Sequence, residues 1–118
     1  MEFKESKSIY QQIADYLYEN ILLKKWKENE RIPSVREIAV MLEVNPNTAL
    51  RSFLILEERG IIFNKRGVGY FVSENGYKKT CEVVKEEFLN KELPEVFRTL
   101  KLLNISIDEV KTLYEQYK

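Results

Sequence analysis

Histidine is missing from this chain, and cysteine occurs once, as Cys81. The first absence removes the commonest general base and the commonest zinc ligand, so triads and metal sites built on histidine are closed off. The second excludes an internal disulfide and agrees with a reducing compartment; Cys81 reads as a small residue on a helix face. Neither sign of charge predominates, since 19 basic side chains meet 19 acidic ones, and residues 1–75 balance among themselves too. Bulk charge therefore gives no attraction to nucleic acid, and a basic surface has to be made by placement on one face. No apolar run approaches the roughly 18 residues that cross a bilayer, and MEFKESKS carries no signal-peptide core. A cytoplasmic location without membrane contact is expected. Glu57-Glu58 and Glu86-Glu87 are neighbours on helices that point in different directions, which reads as solvated surface and not as a carboxylate dyad. Gly67-Val68-Gly69 lacks the further glycine and the strand-to-helix setting of a phosphate loop. With no convergent polar constellation, neither an enzymatic activity nor a cofactor is expected.

What is present suits a modest globular protein. The 118 residues can bury one core with a small helical appendage, and 44% apolar with 32% charged residues is an ordinary balance. Ser8 to Lys24 is amphipathic at helical period, with Ile9, Ile13, Leu17 and Ile21 at i+4 steps and Ser8 with Gln11 as a cap. Tyr10, Tyr16 and Tyr18 are expected partly at its edges, as core or interface filler and not as stacking platforms, and Trp26 as a packing anchor in the loop that follows.

The run from Ile32 to Val72 is the most informative part. Pro33-Ser34 with Glu37 forms a capping box that opens a helix carrying Ile38, Ala39 and Leu42. Asn45-Pro46 opens a second helix, Asn as N-cap and Pro at the first helical position, and Gly60 stops it. Only Glu43 and Val44 lie between, which forces a tight helix corner with Ala49 small where the helices approach. Ile61-Ile62-Phe63 and Tyr70-Phe71-Val72 then read as two strands around the turn Asn64 to Gly69. Helix-turn-helix followed by a glycine-tipped hairpin is the order of a winged-helix DNA-binding unit. A recognition helix meets base edges with its first turns, so Asn45, Asn47, Thr48 and Arg51 are candidate readers, with Asn47 alternatively serving the cap. Lys65, Arg66, Gly67 and Gly69 make a basic wing tip suited to a phosphate backbone or minor groove, where glycine permits close approach.

These motifs, PSVREIA, VNPNTALRSF, LEERGII and RGVGYFV, resemble the reader domain of GntR-family bacterial transcription regulators, with the likeness running from about Ser8 to Ser73. The VNPNT variant and the short tail resemble the YtrA-like branch, which is associated with transporter operons. The resemblance implies DNA contact by Arg36 and Thr48 and adds Ser34 of the same motif. Pro46 and Leu50 depart from the family pattern, standing where many members have reading arginines, so a full base code does not carry over.

The tail is expected to be helical, with Tyr77 to Asn90, a second start at Pro94, and a last helix opened by Ser106 with Glu109. A hairpin of such short helices has more apolar surface than it can hide, and dimerisation through Val84, Phe88, Phe97, Leu100, Leu113 and Tyr114 would bury it. The expected fold is mainly α with a small β-hairpin (α+β): a winged helix-turn-helix domain over 1–74 and a short helical dimerisation region over 75–118. The expected function is a homodimeric, repressor-type transcription regulator on an inverted-repeat operator of double-stranded DNA, with no effector identified. The alternative is a winged-helix protein-interaction module, with Leu50 and Ile55 as its contacts.

Overall fold

The computed structural model describes residues 7–118. The first three helix starts are set by side chains that accept from otherwise unpartnered backbone N–H groups. Helix α1 (Ile9–Leu22) begins at Ser8, reciprocally capped with Gln11; α2 (Val35–Leu42) begins at Ser34, capped in the same way with Glu37; α3 (Pro46–Glu58) begins at Asn45 with Pro46 in its first turn. Strands β1 (Ile62–Lys65) and β2 (Gly69–Val72) form an antiparallel hairpin. Helix α4 (Gly76–Glu87), a π-helical turn (Phe88–Glu92), α5 (Leu93–Leu102) and α6 (Ile107–Gln116) follow. The mainly helical architecture with one small hairpin is the one expected. The chain divides into two compact units, the first ending at Val83 and the second covering Val84–Lys118.

The first unit is built on α3, against which α1 and α2 both pack. Ile13, Leu17 and Ile21 of α1, Ile38 and Ala39 of α2, and Ala49, Phe53 and Leu56 of α3 are buried together with Ile61, Ile62 and Val72 of the hairpin. Each large apolar side chain so enclosed contributes roughly 1.5–3 kcal/mol. Ile9 departs from the expected stripe: it is the first residue of α1, one turn ahead of Ile13, and is exposed. Leu42 is only half-buried. Tyr18 is buried and its hydroxyl accepts from Arg59, so it is core filler. Trp26 meets Tyr16 edge-on, 6.3 Å between centroids, as an anchor would. The corner between α2 and α3 is made by Glu43 in the left-handed region, φ 56° and ψ 50°, while the Val44 N–H closes on the Ala39 carbonyl at 3.0 Å.

The hairpin is longer at its tip than the sequence suggests, because Asn64 and Lys65 continue the ladder opposite Tyr70 and Gly69. Gly67, at φ 78°, makes the turn tight enough for this. Arg31 bridges to Phe71 on the far side of β2, with the Ile32 N–H on the Tyr70 carbonyl at 2.9 Å. The segment before α2 thereby covers the outer edge of the wing.

The first unit runs past residue 74 because the start of α4 belongs to it. Gly76 is buried so closely that a Cβ there would lie 2.6 Å from Val72 Cγ1 and 2.8 Å from the Ile61 carbonyl oxygen. Thr80 is also fully buried, its hydroxyl donating to the Gly76 carbonyl at 2.7 Å.

In the second unit, a new helix starts beside Pro94 as expected, but the helical run does not break before it. The Leu93 N–H bonds to the Phe88 carbonyl, a π-type step, and this shift places Pro94 in the first turn of α5, where its missing N–H costs little. Asn104, at φ 57°, turns the chain into α6, and Ser106 accepts from the Glu109 N–H at 3.1 Å as expected. No residue after Thr80 is buried. Among the described residues no helix is long and apolar enough to cross a membrane.

Candidate nucleic-acid interface

The exposed side of α3 carries Asn47, Leu50, Arg51 and Leu54, with Ala49, Ser52, Phe53 and Leu56 turned into the core. The 3.6-residue period thus separates a presenting face from a packing face on one short helix. Asn45 performs the cap: its Oδ1 accepts from the Asn47 N–H at 2.7 Å, and its amide N–H groups remain available as donors. The cap therefore uses the Asn47 backbone and leaves the Asn47 side chain free for the interface. Thr48 is half-buried in the first turn. Arg36 is exposed in the first turn of α2.

Ser34 accepts from the Glu37 N–H at 3.0 Å, while its own N–H donates to Glu37 Oε1 at 2.8 Å. Its hydroxyl keeps a proton to give to a phosphate. The two bonds from Ser34, backbone first and hydroxyl second, hold the Glu37 carboxyl below its ordinary range, with a smaller contribution from the Arg31 charge.

On the wing, Lys65 and Arg66 are exposed at the tip. The Lys65 ammonium lies 4.9 Å from the centroid of the Phe71 ring, which itself stacks on Phe63 at 5.6 Å. The two glycines have separate reasons. A Cβ on Gly67 would meet nothing within 4 Å, so only its positive φ requires glycine. Gly69, at φ 141°, has the Arg31 Nε 2.7 Å from where a Cβ would be. The close approach at Gly69 is thus made from inside the molecule, by an arginine crossing the strand.

The structure brings the α3 residues, Ser34, Arg36 and the wing residues into one winged-helix unit. It also gives three further residues roles that sequence reasoning did not assign to them. Arg31 joins the wing through the bridge to Phe71, and a one-residue bridge leaves no period to detect. Tyr10 of α1, expected as filler, is instead a platform, with the Arg51 guanidinium carbon 3.8 Å from its ring centroid. Ser52 is fully buried and donates to the Tyr10 carbonyl at 2.7 Å. Ser52 had a signal: it is a polar residue within the apolar stripe of α3. Among the described residues no cluster of acidic or cysteine side chains could hold a metal.

Of the tail residues expected at a dimer interface, Val84 and Leu100 are half-buried, while Phe88, Phe97, Leu113 and Tyr114 are exposed, Tyr114 at 78%.

A capped recognition helix, a tight corner and a basic hairpin define a winged helix-turn-helix DNA-binding regulator. The chain belongs to the bacterial regulatory proteins of the gntR family, whose family model matches residues 9–72. It is 32% identical over 109 residues to the HTH-type transcriptional regulator YhcF of Bacillus subtilis, covering 92% of this chain and 88% of that protein. It is 31% identical to the HTH-type transcriptional repressor YtrA of the same organism, covering 91% of this chain and 82% of that one. Among solved structures, a GntR-family transcriptional regulator from Bacteroides thetaiotaomicron aligns with TM-score 0.72 and 43% identity, over 92% of this chain and 95% of that one.

Proposed function

We propose that this DNA-binding regulator acts as a cytoplasmic homodimeric repressor of the YtrA-like kind on an inverted-repeat operator, and that it has no catalytic activity of its own. The single observation that carries the reading is the α3 surface, where Asn45, Asn47 and Arg51 stand exposed beside a wing tipped by Lys65 and Arg66. Helix N-terminal residues of this kind read base edges, and flanking basic side chains position the protein on phosphates. Leu50 and Leu54, exposed on the same face, suit the apolar C5-methyl of thymine. That face need not be a protein-docking surface. Support for the dimer comes from the tail, where Phe88, Leu89, Val96, Phe97, Leu113 and Tyr114 are all exposed large apolar side chains. The resemblance to a named repressor supports the direction of control, and a transporter operon is the proposed target by that same resemblance.

The test is a titration of the full chain with a duplex that it selects from a randomised pool, repeated across salt concentrations. Each phosphate neutralised contributes about −0.9 to the log-log slope, so Lys65→Ala and Arg66→Ala should each make the slope shallower by about one unit. Sequence preference should hardly change. Unchanged slopes would remove the wing from the interface, and a natural chain that selects no sequence would overturn specific operator binding.

A further inference from the structure

We infer that Tyr10, on α1 and outside the helix-turn-helix, is a positioning residue for operator recognition, presenting the Arg51 guanidinium from below. The inference rests on the proposed reading of DNA by α3. Its ground is a pair of contacts that join Tyr10 to two successive residues of α3. The Arg51 guanidinium carbon lies 3.8 Å from the centroid of the Tyr10 ring. Ser52, fully buried, donates its hydroxyl to the Tyr10 carbonyl at 2.7 Å. The hydroxyl bond fixes the height of Tyr10 along α3, and the ring then lies under the arginine that follows the buried Ala49 by half a turn.

Stacking engages the face of a guanidinium and leaves its five N–H donors at the edge. Among the described residues, none of those donors has a hydrogen-bonded or ion-paired acceptor, since the only ion pair is Lys7 with Asp15. Arg51 is therefore exposed, oriented and uncommitted at its edge, which is the state that bidentate recognition of guanine O6 and N7, or of a phosphate, requires. Side chains on a helix lean toward its N-terminus, the end that a recognition helix turns to the groove. A long flexible arginine without a platform would be ordered only on binding, at a cost in affinity. Tyr10 does that ordering in advance. A cation–π contact at an exposed site corresponds to a factor of roughly two to five in affinity for each reader.

A double-mutant cycle on the full chain tests this, with Tyr10→Phe, Tyr10→Leu, Arg51→Ala and the Tyr10→Leu/Arg51→Ala pair. The probes are the duplex selected by the natural chain and a scrambled duplex of equal length, at one salt concentration, with melting temperatures measured alongside. Tyr10→Phe keeps the platform and should bind within about twofold of the natural chain. Tyr10→Leu should lose roughly two- to fivefold per reader and narrow the gap between selected and scrambled duplex. In the Arg51→Ala background, adding Tyr10→Leu should change little, because the residue it acts through is already gone. An equal loss from Tyr10→Leu in both backgrounds would reduce Tyr10 to scaffolding and overturn the inference. So would an Arg51→Ala variant that binds like the natural chain, while leaving operator reading by the other residues of α3 standing. A natural chain that prefers neither duplex would overturn both.

Discussion

Glycines 67 and 69 flank one residue of the wing, yet the structure gives them different physics, and that difference can be measured. Gly67 needs only its left-handed backbone, with φ 78° and open space where a Cβ would be. Gly67→Ala should therefore cost about 1–2 kcal/mol of stability, the price of a positive φ, without disturbing the tip. Gly69 combines φ 141° with the Arg31 Nε at 2.7 Å, so Gly69→Val has to displace the Arg31 side chain as well as strain the strand. A larger fall in melting temperature is expected for Gly69→Val, accompanied by weakened DNA binding as the wing edge shifts. Equal losses for the two variants would show that Arg31 gives way freely. The sequence made both glycines conspicuous and attributed their need to an approaching DNA backbone. It could not reveal Arg31, because the residue that fills the space above Gly69 belongs to a loop some 40 positions earlier in the chain. Asn45, Pro46 and Arg51 were legible because a cap, a first-turn proline and the helix period are local signals.

Among the elements, α2 has the start most open to experiment. Ser34 and Glu37 satisfy each other's backbone donors at 3.0 and 2.8 Å, and loss of such a cap costs about 1 kcal/mol, so Ser34→Ala should lower stability by that amount. The Glu37 carboxyl is held below its ordinary range by the Ser34 backbone bond, then by the Ser34 hydroxyl. A carboxyl depressed on folding adds stability at pH values above its unfolded range, and that stability drains away as pH falls through the folded value. Unfolding followed from pH 7 downward should therefore show a loss in the acid carboxylate range that Glu37→Gln, which cannot titrate, lacks at this site. Identical acid profiles for the natural chain and Glu37→Gln would mean that the cap does not couple to folding. Such caps are local patterns of types and spacings, which is why α1, α2, α3 and α6 started where the sequence put them. The helix start at Pro94 was legible too, but the unbroken link before it was not, for the converse reason. Proline reads as a break, but a π-helical turn over Phe88–Glu92 moves the hydrogen-bond ladder until the ring fits an early position of α5. That adjustment is set by backbone geometry over five residues and leaves no mark in the apolar pattern.

At the scale of the whole molecule, the place where the reader ends decides which truncation is informative. Cutting before Gly76 would strip buried Gly76 from Ile61 and Val72 and remove buried Thr80 with it, and a loss of DNA binding could then be a loss of folding. Cutting after Val83 keeps the first compact unit together and removes Val84–Lys118, where no side chain is buried. The shortened chain should melt as a cooperative unit close to the natural temperature, because what it loses encloses no core of its own. If the exposed faces of α5 and α6 pair with a second copy, sedimentation should find the shortened chain monomeric. Two readers held together bind the second half-site at high effective concentration, so the monomer should bind the selected duplex on the order of 10²-fold to 10⁴-fold more weakly. That exceeds the loss from removing any one reader side chain, and it should vanish on a duplex carrying a single half-site, where linkage confers nothing. A shortened chain that stays dimeric would move the interface into the winged helix. A monomer that binds the two-site duplex as tightly as the natural chain would dissociate operator affinity from dimerisation.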